Sequence, residues 1–203
     1  MKTIGIKEPV ILIVEGGEDK QFFQALIQHL GLSGIDIMGI GGKDQIKANL
    51  KALRNSSGFT IVRSLGIVRD ADDDPRAAFQ SVCSALQNAG LPVPDRPLVS
   101  VGSNPAVTVM ILPDINTPGA LEDLCLQAVA NDPALPCIEQ YFECLQKQGF
   151  LPKNISKAKV QAFLASRIEA GKRLGEAAQA GYWPWDSSAL DQVKNFLQHI
   201  ITR

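Results

Sequence analysis

Val10-Ile11-Leu12-Ile13-Val14 is an unbroken apolar run dominated by β-branched residues. A strand with one wet face alternates apolar and polar residues, whereas a run with no polar position needs cover on both faces. That cover comes from helices packed on a parallel sheet, and parallel neighbours need crossover connections between them. The sequence supplies these in order. Residues 18–30 place Phe22, Phe23, Leu26, Ile27 and Leu30 at helical spacing, and Gly31 ends the run. A second strand is predicted at 35–40 and a second helix at 43–54, with Ile46, Leu50 and Leu53 on one face. A third strand at 65–68 runs into Arg69-Asp70-Ala71-Asp72-Asp73-Asp74. The third helix spans 75–89, with Pro75 at its first position, and further strands are predicted at 97–101 and 107–112. The expected fold class is α/β: a mostly parallel sheet flanked by helices, joined by right-handed crossovers.

The second half changes character. Segments 121–130, 138–148, 156–167 and 189–201 read as helices punctuated by prolines, so a helical portion at 116–203 is expected to pack on an α/β core at 1–115. Tyr182-Trp183-Pro184-Trp185 concentrates aromatic residues, which suit packing of the last helix onto the core or stacking on bases. The chain of 203 residues is 45% hydrophobic and 20% charged, which excludes global disorder. Its net charge of −1 excludes a wholly basic nucleic-acid clamp but not a local basic face. The first apolar run is too short to span a bilayer, and no apolar segment of a signal peptide precedes it. A cytoplasmic protein with no membrane partner is therefore expected. Cys83, Cys125, Cys137 and Cys144 show no zinc-type spacing and read as small buried apolar residues.

In parallel sheets, ligands sit at the carboxyl ends of the strands. The first strand ends in Glu15-Gly16-Gly17-Glu18-Asp19 and the third in Asp70-Ala71-Asp72. Asp74 before Pro75 is ordinary helix capping, and Glu18 and Asp19 suit the positive end of a helix. Capping does not explain Asp70, Asp72 or Glu15. On an extended backbone Asp70 and Asp72 would point the same way. Glu15, Asp19, Asp70 and Asp72 are thus candidate metal ligands. Close carboxylates repel unless a cation neutralises them, and an oxygen-only set suits Mg²⁺, with Mn²⁺ as a substitute. Glu15 is also a candidate general acid or base.

The pair Ile13-Val14-Glu15-Gly16-Gly17-Glu18-Asp19 and Asp70-Ala71-Asp72 resembles the TOPRIM domain, the acidic metal-binding fold of topoisomerases, bacterial primases and OLD-family nucleases. The resemblance covers 9–112 in organisation, with specific matches at these two motifs. It is closest to small stand-alone OLD-like TOPRIM proteins. It implies Mg²⁺-dependent phosphoryl transfer on nucleic acid, most simply phosphodiester hydrolysis. It also implies a later acid opening a helix, which Glu122 matches, and a lysine in the following helical part, for which Lys157 and Lys159 are candidates. Ala120 departs from the hydroxyl residue those nucleases carry two before that acid.

Lys43, Lys47, Lys51 and Arg54 form a basic stripe on the second predicted helix, suited to a nucleic-acid backbone or to plain solvation. Two readings stand beside each other: a metal-dependent nuclease, and a non-catalytic module that binds a metal or nucleotide and regulates or engages a protein partner. Either is compatible with a homo-oligomer.

Overall fold

The initial apolar run is strand β1 (Val10–Val14), buried at every position. The computed structural model describes residues 5–42 and 45–202. After β1 come α1 (Gly17–His29), β2 (Ile35–Gly39), α2 (Ile46–Arg54), β3 (Ser64–Asp70), α3 (Pro75–Asn88) and β4 (Ala106–Leu112). The C-terminal portion is helical: α4 (Leu121–Ala128), α5 (Ala134–Lys147), α6 (Ile155–Ala165), α7 (Leu174–Gln179) and α8 (Asp191–Ile201). The four strands form one sheet in the order β2-β1-β3-β4, and every pairing is parallel. The chain leaves β1 for β2 on one side and returns past it to β3 on the other. The carboxyl ends of β1 and β3 thus flank the point where the winding reverses, the usual ligand crevice of such sheets.

Strand alternation divides the core in two. Ile11, Ile13, Leu65, Ile67, Val107 and Val109 face α2 and α3, where Leu50, Leu53, Phe79 and Val82 complete one apolar layer. Leu12, Val14, Val68, Met110 and Leu112 face the other way, against Phe22, Phe23, Leu26, Leu124, Phe163 and Phe196. Helix α1 and the helical C-terminal portion together are therefore the second cover of the sheet.

Several local expectations change. Residues 97–101 do not form a strand. Leu98 has φ 64°, and the segment is tied to β4 through Leu98 N–H to Val109 O at 2.8 Å and an isolated Val101–Val107 bridge. It caps the β4 edge with irregular chain, one way to keep an edge from pairing with other strands. Helix α5 starts four residues early, at Ala134, because Pro136 is tolerated in a first turn. Helix α7 is too short for a periodic signal. Cys83 and Cys125 are buried, but Cys137 and Cys144 lie on the exposed face of α5. Trp183 is core: it is 1% exposed, stacks on Phe163, and donates from Nε1 to Leu174 O. Among the described residues, no helix is long and apolar enough to cross a membrane.

Gly66, in the centre of β3, shows how tightly α8 seats. A Cβ there would lie 2.9 Å from Ile200 Cδ1 and 3.0 Å from Phe196 Cζ. Gly66→Val should therefore destabilise the protein by about 1–3 kcal/mol through overpacking. Denaturant unfolding checks it; an unchanged midpoint would mean that α8 yields freely.

Candidate functional site

Several acidic side chains reach the crevice between the ends of β1 and β3, and they do not form one group. Glu15 follows Val14 on the α2/α3 side of the sheet. Its Oε1 accepts from the Asp70 backbone N–H at 3.0 Å and is ion-paired with Arg69. Arg69 is only 5% exposed, and its second guanidinium nitrogen lies 2.9 Å from Asp72 Oδ2. One buried cation thus bridges Glu15 and Asp72.

Asp70, the next residue in the strand, points to the opposite face. There it meets the beginnings of α1 and α4. Its Oδ1 accepts from the Leu121 N–H at 3.1 Å. Asp19, in the first turn of α1, accepts from the Gly16 N–H at 3.1 Å. Glu122 lies in the first turn of α4. Its neighbour Asp123 is occupied structurally, accepting from Ala120 N–H at 2.8 Å and from the Ser156 hydroxyl at 2.5 Å. Glu15, Asp19, Asp70, Glu122, Lys157 and the Gly41-Gly42 turn line one cavity of about 400 Å³.

The negative charge in this cavity is only partly compensated. Burial, then the Asp19 carboxylate, then the Glu122 carboxylate push the Asp70 carboxyl up to about 8, with Arg69 opposing. Burial likewise raises Asp19 and Glu122, and Lys157 partly offsets the rise at Glu122. The positive ends of α1 and α4 supply backbone N–H groups here but no full charge.

As the side chains stand, no three His, Cys, Asp or Glu among the described residues converge closely enough to hold a metal ion. Three of these carboxyl groups are engaged by other partners. Glu15 is drawn to Arg69, while Asp19 and Asp70 each turn an oxygen to a backbone N–H. The donors are all carboxylate oxygens, which is the chemistry a hard divalent cation takes.

The remaining candidates scatter. Asp72 is not aligned with Asp70: its backbone is left-handed at φ 50° and bridges Gly119, so the extended geometry ends at Ala71. Lys157 lines the cavity, whereas the Lys159 ammonium sits 2.6 Å from Glu139 Oε2 on α5. Lys47 and Lys51 are exposed on α2, and Arg54 lies over the Phe59 ring at 5.2 Å. Lys43 lies outside the described residues. The sequence reading did not single out Arg69, although a charged residue one place before the end of an otherwise apolar central strand is the signal that marks it.

These features define a class: a parallel α/β protein with an acidic cavity at its topological switch point. Its fold is that of the C-terminal regions of OLD proteins. It aligns with the region from Burkholderia pseudomallei at 16% identity, TM-score 0.53, over 96% of this chain and 98% of that one. The platinum-phased region from Xanthomonas campestris pv. campestris gives 16% identity, TM-score 0.52, and coverages of 96% and 93%. No curated protein sequence matches. Residues 9–202 match the family described as "Protein of unknown function (DUF3226)", and the chain belongs to that family.

Two outcomes follow from the charge arrangement. Arg69→Met strands two carboxylates and should cost about 3–5 kcal/mol in unfolding free energy; a loss below about 1 kcal/mol would show that Arg69 is not their counter-charge. The second concerns pH. In the metal-free fold Asp70 holds its proton to about pH 8, while its ordinary value is 3.8. The folded state therefore binds more protons across that window, and stability falls as pH rises through it. Asp70→Asn keeps an oxygen for the Leu121 N–H and should flatten that fall, matching wild type near pH 4 and exceeding it at pH 8. Urea unfolding in chelator reads both, and parallel pH curves would contradict the assignment.

Proposed function

We propose that this protein carries out Mg²⁺-dependent phosphoryl transfer on nucleic acid, in the manner of a TOPRIM-type nuclease. The observation that carries the reading is Asp70. A carboxyl at the end of a central strand, raised to about 8 by burial and by two neighbouring carboxylates, stays protonated at neutral pH unless a cation takes the proton's place. The likeness to OLD protein C-terminal regions supports the fold side of the reading.

Asp70, Asp19 and Glu122 would hold the cation, with Glu15 on the cavity wall and Mn²⁺ as a substitute. The bound cation supplies charge stabilisation on a phosphate and a more acidic water. The chain's own residues do the rest. Lys157 faces the same cavity and is placed to neutralise charge developing on a phosphate oxygen. Arg69 fixes Glu15 and, through the Asp70 N–H contact with Glu15, the direction of the Asp70 backbone. The N–H groups opening α1 and α4 hold Asp19 and Asp70 in place.

One observation favours the non-catalytic reading, a module that binds a metal or nucleotide without turnover. Glu15 is engaged by both Arg69 and the Asp70 N–H, so it is not a free general base. The two readings separate in one assay. Incubation of plasmid and single-stranded DNA with Mg²⁺ or Mn²⁺ should give cleavage that chelator abolishes. Asp70→Asn and Glu122→Gln should each reduce the rate by about a hundredfold or more. Lys157→Ala should cost about tenfold to a hundredfold. Cleavage that survives in Asp70→Asn would refute the site, and metal binding without any cleavage would establish the binding module.

A further inference from the structure

A second cavity, of about 570 Å³, opens directly off the acidic one. Glu18, Glu122, Lys157 and Leu174 belong to both. Its volume falls within the roughly 300–1,000 Å³ typical of small-ligand sites. Its floor is apolar, made by Val160 and Leu164 of α6 and Leu174 of α7. Lys172 and Arg173 line it as well. Lys172 is paired with Glu169, whose side chain is largely exposed, and Arg173 is exposed and 4.0 Å from Glu18 Oε1. Pairs with one member this exposed contribute little and exchange readily for another anion.

The wall is built firmly despite its exposed cations. Glu18 Oε2 accepts from the Gly175 N–H at 2.8 Å, locking the start of α7 to α1. A Cβ at Gly175 would lie 2.5 Å from the Gln21 side chain and 2.9 Å from Glu18 O, so the α7 backbone packs directly on α1. The Lys172-Arg173 step immediately precedes this fixed point.

The two adjoining cavities thus offer carboxylates, Lys157, an apolar patch and two further cations. Those are the chemical parts that one nucleotide unit with its flanking phosphates requires. We propose that this second cavity binds a single unpaired nucleotide of a nucleic-acid strand: base and sugar on the Val160-Leu164-Leu174 floor, one phosphate at Lys157, the next at Lys172 and Arg173. A paired base offers only its edges and backbone to a protein surface, so a base and sugar enter such a cavity only when unpaired. Gln161, on the rim, offers both a donor and an acceptor to a base edge. The inference rests on the phosphoryl-transfer reading for its geometry, and it narrows the substrate to single-stranded or frayed nucleic acid.

The test is fluorescence anisotropy with a labelled oligothymidine strand and a blunt hairpin duplex, in Ca²⁺, across a salt series. Wild type should bind the strand more tightly than the duplex. Lys172→Ala/Arg173→Ala should weaken strand binding about tenfold and reduce the salt slope by up to about 1.4, about 0.7 for each cation on a single strand. Ala165→Trp, at an exposed rim position, fills the cavity and should weaken strand binding comparably. Calorimetric Mn²⁺ binding and thermal unfolding should stay unchanged in both variants. Equal or tighter duplex binding, or strand binding unaffected by both variants, would overturn the proposal. Absence of Mn²⁺ binding in wild type, with the strand preference and its loss in the variants intact, would defeat the phosphoryl-transfer reading while upholding the nucleotide cavity.

Discussion

The arrangement of charge at the strand ends depends on one buried cation. Among the described residues, Arg69 is the one cationic side chain that is fully buried, and it holds Glu15 and Asp72 together on one side of the sheet. Asp70 is adjacent in the strand and so faces the other side. The guanidinium therefore neutralises one carboxylate group and leaves the other, Asp19 with Asp70 and Glu122, facing a cavity with little to balance it. A hydrophobic core can bury a charge pair at modest net cost, but an uncompensated cluster is expensive to keep. Here Asp70 keeps its proton instead, and the convergence of carboxyl groups from three separate elements is what the proposed cation site rests on.

The helical C-terminal portion is part of the same construction. It covers the sheet face that Asp70 shares, and α4 and α6 bring Glu122 and Lys157 to the cavity. Ser156 on α6 donates to Asp123 on α4, which caps the helix start that carries Glu122. Packing of α8 on Gly66 anchors the layer beneath the site. Core stability and the geometry of the charged cavity are thus carried by the same contacts.

Much of this was legible in the sequence. The unbroken run at 10–14 implies a parallel sheet, and strand–helix alternation places Glu15 and Asp70 at adjacent strand ends. Glu122 and Lys157 followed only from the resemblance, since no local pattern distinguishes an acid in a first turn from one that lines a cavity. The role of Asp72 was not legible, because its left-handed backbone and its bridge to Gly119 depend on tertiary contact. Nor was the partner of Lys159, twenty residues away on α5. Helix α7 and the Lys172-Arg173 wall were missed because six residues held by close packing at Gly175 leave no periodic signature.

The most direct test is the titration of the Asp70 carboxyl itself, followed by carbon NMR on side-chain-labelled protein, in chelator and in Mg²⁺. The account predicts a proton retained to about pH 8 without cation, and a large downward displacement when Mg²⁺ is added, shared by Asp19 and Glu122. Titration in the ordinary carboxylate range, unmoved by Mg²⁺, would contradict it and reduce the acidic cavity to a structural feature of two helix ends.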